Sequence, residues 1–221
     1  MRAVPAAATA ALSALLLAAC ASGPPPPDWQ ANAHGALERA VAAQLRGDTR
    51  IEAAEFTLAR AELARTGRAD LVARAELMRC AARVASLVVE PCAGFDALRA
   101  DAAAPERAYA DYLAARVSTP DVALLPLAQR VAALATADSA ATALAAVADP
   151  LSRLVAAGVM FASGRAGPAV MSQAIDTASA QGWRRPLLAW LKVALARASA
   201  AGDSAEADRL QRRIGLVEGL R

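Results

Sequence analysis

The sequence predicts an all-α fold, and three observations lead to that prediction. About three residues in ten of this 221-residue chain are alanine, the strongest helix former. Aromatic residues make up only 4% of it, and the long runs of Val, Ile, Thr and Tyr that favour strands are missing. Glycine and proline recur at helix-length intervals. The length suits one domain in which many helices pack at close range.

The first three helices are predicted over residues 30–46, 49–66 and 69–88. Gly47 has the residue type that ends a helix in the left-handed conformation. Thr49 and Glu52 have the spacing of a capping box at the start of the second helix. The third helix combines apolar residues at helical spacing with a neighbouring polar stripe, which indicates a wet face.

Prolines and glycines divide the middle of the chain into shorter helices, predicted near 95–101, 105–117, 126–136 and 138–148. Residues 131–148 contain a single charge, Asp138, which would lie near the centre of any membrane span. Serine, threonine and the many alanines also make this stretch too polar for the hydrocarbon core of a bilayer. We therefore predict a buried, alanine-rich hairpin there.

The last four helices are predicted over residues 150–164, 168–182, 184–200 and 203–218. Asp149 is placed to cap the first of them, with Pro150 at its first helical position. Asp203 and Glu206 repeat the capping-box spacing before the last helix. The first two of these helices end at Gly164 and Gly182, and Gly202 separates the last two, as expected where helices end.

Paired helices separated by glycine turns recur along the chain, and the turns at Gly164 and Gly202 are 38 residues apart. In this respect the chain resembles degenerate tetratricopeptide-type repeats, whose unit is a helical hairpin of about 34 residues. No unit has that family's full set of Trp, Leu-Gly, Tyr, Ala, Phe and Pro positions, and residues 91–130 depart from it. The resemblance implies stacked antiparallel helical hairpins, as a solenoid or an irregular bundle, and it carries no functional residues.

The N-terminus has the features of an export signal. Arg2 is followed by an uncharged, Leu/Ala-rich stretch over residues 3–19, too short to count as a spanning helix, and then by Cys20. The segment Leu-Ala-Ala-Cys resembles the lipobox of bacterial lipoproteins. The resemblance implies cleavage before Cys20 and attachment of lipid to its thiol. The alternative is an ordinary secretory signal with a cysteine near its cleavage site.

A proline-rich segment follows at once, with four consecutive prolines over residues 24–27. Such a run favours an extended, stiff tether. We divide the chain into a signal peptide (1–19), a lipidated tether (20–28) and one helical domain (29–221). Ala21, rather than Asp, follows the lipidated cysteine, which for a Gram-negative lipoprotein implies the outer membrane, facing the periplasm. In a Gram-positive cell the address would be the outer leaflet of the plasma membrane.

Two cysteines remain once Cys20 is assigned to lipid, and in an exported protein an even remainder favours a disulfide. We predict a Cys80–Cys92 bridge that holds the loop after the third helix against that helix. The alternative is two unpaired thiols, with Cys80 buried as a small apolar residue.

Motifs for cofactor or metal chemistry are missing from the sequence. It has no glycine-rich phosphate loop, and its single histidine, His34, lacks a nucleophile or second ligand nearby, so we expect a solvated surface residue. The net charge of +3 is small and dispersed, which argues against nucleic acid as a partner. We predict no cofactor, no metal and no catalytic residues.

The function that this combination favours is a membrane-anchored envelope adaptor or scaffold that binds another envelope protein or peptide through its helical surface. The polar stripe of the third helix supplies the candidate partner-binding residues Glu76, Arg79 and Arg83. The alternatives are an envelope hydrolase, such as a cell-wall-modifying enzyme that uses carboxylates, and a purely structural envelope protein.

The lipobox prediction is tested by Cys20→Ser. The thiol is the nucleophile that accepts the lipid, and a hydroxyl is a far weaker one at neutral pH. We expect the variant to incorporate no labelled palmitate and to stay uncleaved or soluble in fractionated cells, whereas Cys92→Ser keeps the label. Outer-membrane fractionation of Cys20→Ser, with no fatty acid incorporated in either form, would show that the lipobox assignment is wrong.

Overall fold

The computed structural model describes residues 27–219, and the all-α prediction is confirmed for this part of the chain. It contains eleven α-helices and one 3₁₀ helix, and no strand. In chain order the α-helices are α1 (Asp28–Arg46), α2 (Thr49–Ala64), α3 (Ala69–Val84), α4 (Ala93–Asp96), α5 (Ala104–Leu113), α6 (Leu127–Leu134), α7 (Ala140–Ala145), α8 (Pro150–Ala162), α9 (Pro168–Ala180), α10 (Arg184–Ala200) and α11 (Ser204–Glu218). The 3₁₀ helix, Pro120–Leu124, lies between α5 and α6.

Helix α8 forms the centre of the molecule. Its residues 154–160 are all buried, as expected of a helix that is apolar on every side, and it packs against α3, α5, α6, α7 and α9. Helix α3 approaches it closely, because Gly158 has no side chain. A Cβ at Gly158 would overlap the backbone carbonyl oxygen of Val84, so glycine is what permits this distance between the helices.

The helices form an irregular bundle rather than an open stack. Helix α10 packs against α1, which lies far away in the sequence. The indole of Trp190, fully buried, donates a hydrogen bond to the carbonyl oxygen of Ala85 (3.3 Å), and Arg185 donates to Gln44 (2.5 Å) and Thr49 (2.7 Å). In a linear repeat array each unit contacts only its neighbours. Because these contacts join distant parts of the chain, they favour the irregular bundle over the solenoid, the other predicted arrangement.

Most of the predicted helix boundaries lie within two residues of the observed ones, and one predicted cap is wrong. The helices predicted near 95–101 and 105–117 end earlier than predicted, at Asp96 and Leu113. Gly47 ends α1 with a φ of 98°, and the carboxylates of Asp149 and Asp203 accept the capping N–H bonds of α8 and α11. The start of α2 has no side-chain cap. Glu52 accepts hydrogen bonds from Arg79 of α3 instead, and the Thr49 hydroxyl accepts one from Arg185. Tertiary partners have thus replaced the local capping box.

The chain around the end of α3 differs from one prediction and confirms another. The helix ends at Val84, four residues before the predicted end, and Leu87 takes a left-handed backbone with a φ of 61°. The predicted disulfide is present: Cys80 and Cys92 are bonded, with their Cα atoms 6.1 Å apart. The bridge joins α3 to the residue that precedes α4. Within residues 27–219 we find no helix with the length and apolarity needed to cross a bilayer.

The close approach of α3 and α8 predicts opposite effects for two glycine-to-alanine changes. Gly158→Ala forces a methyl group into the Val84 carbonyl, and overpacking of this kind costs about 1–3 kcal/mol of unfolding free energy. Gly215→Ala, in α11, meets open space and should stabilise the protein by up to about 1 kcal/mol through helix propensity. Urea unfolding followed by circular dichroism measures both. Equal effects of the two changes would contradict the close approach.

Candidate functional site

Helix α6 turns its large apolar side chains toward solvent. Leu127, Val131 and Leu134 lie on one face at spacings of four and three residues, and they are 78%, 58% and 61% exposed. The opposite face carries Gln129 and Ala132, which are both buried. The prediction of a buried hairpin over 131–148 is therefore wrong for α6, although Ala140 and Leu144 of α7 are buried as predicted.

A buried amide fixes this orientation. The side-chain oxygen of Gln129 accepts a hydrogen bond from the Tyr112 hydroxyl (2.7 Å), and its nitrogen donates one to the Ser152 carbonyl oxygen (3.0 Å). Burial raises the pKa of Tyr112, which keeps its phenol protonated and able to donate. Turning α6 over would bring Gln129 out and leave both partners without their bonds, at a cost of about 1–3 kcal/mol each.

An apolar pocket of about 520 Å³ adjoins the exposed face of α6. It lies between α3, α5, α6, α8 and the 3₁₀ helix. Two apolar residues on its lining, Met78 and Leu124, are 46% and 38% exposed and enlarge the apolar surface. Its apolar lining also includes Leu77, Pro126, Leu127 and Leu151.

Two arginines and one carboxylate are the charged groups among the lining residues of this pocket. Arg74 donates its Nε–H to Oε1 of Glu106 (2.6 Å), and Arg130 donates its Nε–H to the carbonyl oxygen of Leu125 (2.9 Å). Oε2 of Glu106 is buried and has no hydrogen-bond partner. Burial raises the pKa of Tyr109, so the phenol is neutral. The lining therefore carries a net positive charge.

A second surface depression, of about 800 Å³, lies between α9, α10 and α11. Three carboxylates line it, but two of them have structural roles. Asp203 caps α11, and Glu206 binds Arg209, whose hydrogen bonds lower the pKa of that carboxylate. Asp176 is left as the third. Glycoside hydrolysis of the usual kind needs two available carboxylates, and in this depression Asp176 is the one of the three without such a role.

The residues predicted to bind a partner lie on the other side of α3, where two of the three join it to α2. Glu76, predicted on a wet face, is instead buried and accepts a hydrogen bond from Arg60 (3.1 Å). Its carboxylate lies against Gly94, where a Cβ would overlap it. Arg79 pairs with the buried Glu52 and lies 4.4 Å from the ring centre of Phe56.

Arg83 lies 4.0 Å from Glu90 and is the most exposed of the three candidates. Partner binding by this stripe stays a prediction, since two of its members are occupied by helix–helix contacts. Cys20 lies outside the described residues. His34 is on the surface, as predicted, 3.2 Å from Glu38. No group of three or more potential metal ligands occurs within residues 27–219.

The surface around α6 was missed by the sequence reasoning. Six of the eight residues in Leu127–Leu134 are apolar, so either side of the helix could face the core. The polar pair Gln129 and Arg130 gave no signal that one of them is inside. Comparison with protein-family models, with curated proteins and with solved structures finds no significant match to this chain.

The orientation of α6 is testable with two neighbouring cysteine substitutions. Val131→Cys places a thiol on the exposed face, and Ala132→Cys places one in the core. Under non-reducing conditions, with Cys80 and Cys92 bonded, we expect iodoacetamide to label the first rapidly and the second only after unfolding. Mass spectrometry of timed samples gives both rates. Faster labelling at position 132 would mean that the helix faces the other way.

Proposed function

We propose that this chain is a protein-binding adaptor of the bacterial cell envelope, and that its partner docks on the exposed face of α6 and the adjoining pocket. The observation that carries the proposal is the row formed by Leu127, Val131 and Leu134, exposed at the edge of a 520 Å³ apolar pocket. Contiguous apolar surface is rare on soluble proteins outside interaction sites. We call this combined area the α6 surface.

The construction of the α6 surface supports binding of a partner segment. The pocket has a rigid base, because Leu77 of α3 and Val155 of α8 are buried and Gln129 is held by two hydrogen bonds. A preformed apolar pocket avoids the entropy cost of ordering itself when a ligand enters. A convex apolar helix beside a pocket matches the mode in which an amphipathic helix lies in a groove.

The charged groups of the same surface support binding rather than hydrolysis. Glu106 is the one carboxylate on the pocket lining, and its Oε1 is engaged by Arg74. An adaptor needs apolar area and orienting charges, and these are what the lining supplies. The pocket therefore has the groups that binding requires, whereas two-carboxylate hydrolysis would require a second carboxylate on the lining.

The N-terminal sequence supports the envelope part of the proposal. Lipid on Cys20 would hold the chain at a membrane, and the prolines at 24–27 would act as a stiff spacer before α1. We place the protein on the outer membrane, facing the periplasm, for a Gram-negative cell. Its partner is then another envelope protein or an exposed peptide segment.

The experiment compares two equally exposed leucines in the full-length protein in its own cells. Leu127 and Leu216 are both 78% exposed, but only Leu127 belongs to the α6 surface. With a photo-crosslinking residue at Ala128, we expect Leu127→Asp to reduce the yield of a crosslinked envelope protein by about tenfold, which corresponds to about 1.4 kcal/mol.

Leu216→Asp is the matched control and should leave that yield unchanged, with melting temperatures close to wild type for both variants. A crosslink that resists Leu127→Asp, or the absence of any protein adduct at this position, would overturn the proposal. Turnover of a wall polymer by the purified chain would favour the hydrolase instead.

A further inference from the structure

Two arginines at the mouth of the pocket are held in place by hydrogen bonds but have further N–H donors that the described residues do not use. Arg74 on α3 and Arg130 on α6 are exposed, and each is held through its Nε–H alone. Their terminal guanidinium nitrogens make no hydrogen bond to the described residues. A guanidinium fixed in this way presents its two outer nitrogens to a carboxylate, which it can bind through two parallel hydrogen bonds.

The charge balance at the mouth of the pocket is positive. The negative charge of Glu106 is buried beneath the exposed part of Arg74, and Tyr109 is kept neutral. A partner approaching from solvent therefore meets two cations beside an apolar pocket. Carboxylates on that partner would gain from both cations, whereas lysines would be repelled by them.

Resting on the function proposed above, we infer that the α6 surface binds an acidic amphipathic helical segment of a partner protein. Apolar side chains of that segment, spaced at three and four residues, lie on Leu127 and Val131 and enter the pocket. Aspartate or glutamate side chains beside them pair with Arg74 and Arg130. Apolar contacts supply the affinity, and the two ion pairs set the orientation and select against basic segments.

The shape of the surface favours a peptide over the other occupants. An anionic bilayer also offers negative charge and apolar material, but a flat membrane surface leaves a concave pocket of 520 Å³ unfilled. A second copy of the chain would bring two convex α6 helices together. Three side chains on a two-turn helix provide much less than the roughly 800 Å² per partner of a typical stable interface.

The test uses two designed peptides of about four helical turns and the full chain in phosphatidylcholine nanodiscs. Both peptides have leucines at alternating spacings of four and three residues. One carries glutamate at the flanking positions, and the other carries lysine there. Fluorescence anisotropy should show the acidic peptide binding at least about tenfold more tightly, with a preference that shrinks as salt is added.

Arg130→Glu should abolish or invert that preference. Arg74→Gln should weaken it, and glutamine is used at position 74 because a glutamate there would be repelled by Glu106. Arg50→Glu and Arg212→Glu change exposed arginines elsewhere and serve as controls, with no effect expected. Leu127→Asp should weaken both peptides.

The outcomes separate this inference from the function on which it rests. Equal binding of both peptides, lost in Leu127→Asp, would overturn the acidic partner and leave the adaptor standing. If neither peptide binds while the Leu127-dependent crosslink persists in cells, the acidic partner is again overturned and the adaptor function stands. Failure of both together with loss of that crosslink would overturn the two proposals. Protection of Val131→Cys from labelling in phosphatidylglycerol nanodiscs only, without peptide binding, would make an anionic membrane the occupant and overturn the inference.

Discussion

The close approach of α8 to the end of α3 is the contact on which the rest of the fold depends. It brings Gly158 against the Val84 carbonyl, and the next residue along, Ala85, offers its own carbonyl to Trp190 of α10. One short segment therefore joins the central helix, the third helix and the C-terminal hairpin. The disulfide at Cys80 holds the chain that leaves this segment. A larger residue at 158 would separate all of these elements, because alanine-rich helices have no long side chains with which to fill the gap.

The same central helix determines what the α6 surface exposes. The Ser152 carbonyl belongs to the first turn of α8, and its oxygen, which has two lone pairs, accepts a hydrogen bond from the Gln129 side chain. Together with Tyr112 of α5 it draws the one buried polar side chain of α6 inward. In a helix with so few polar residues, that choice turns the apolar row outward. The exposure of Leu127 therefore follows from the polar interior contact and does not reflect poor packing.

Features that depend on neighbouring residues could be predicted from the sequence, and features that depend on distant ones could not. The glycine at 47 and the cap at Asp149 act within one turn, and both are confirmed. The partner of Glu52 is 27 residues away, and the partners of Gln129 are 17 and 23 residues away. In such cases the local sequence pattern predicts a capping box or a buried leucine, and both predictions are wrong here. Only the packed structure shows that an arginine or a tyrosine competes successfully for the polar group.

The two sides of helix α3 have different roles. One side carries Glu76 and Arg79, whose ion pairs to α2 hold the helix in place. The other side carries Arg74 and Met78, which line the pocket. Arg79 donates to both carboxylate oxygens of the buried Glu52, through Nε and one terminal nitrogen, so this arginine has fewer donors left for a partner. The second side has guanidinium nitrogens to spare. A polar stripe at helical spacing is thus a weaker indication of a docking surface than an arginine held through Nε alone beside exposed apolar residues.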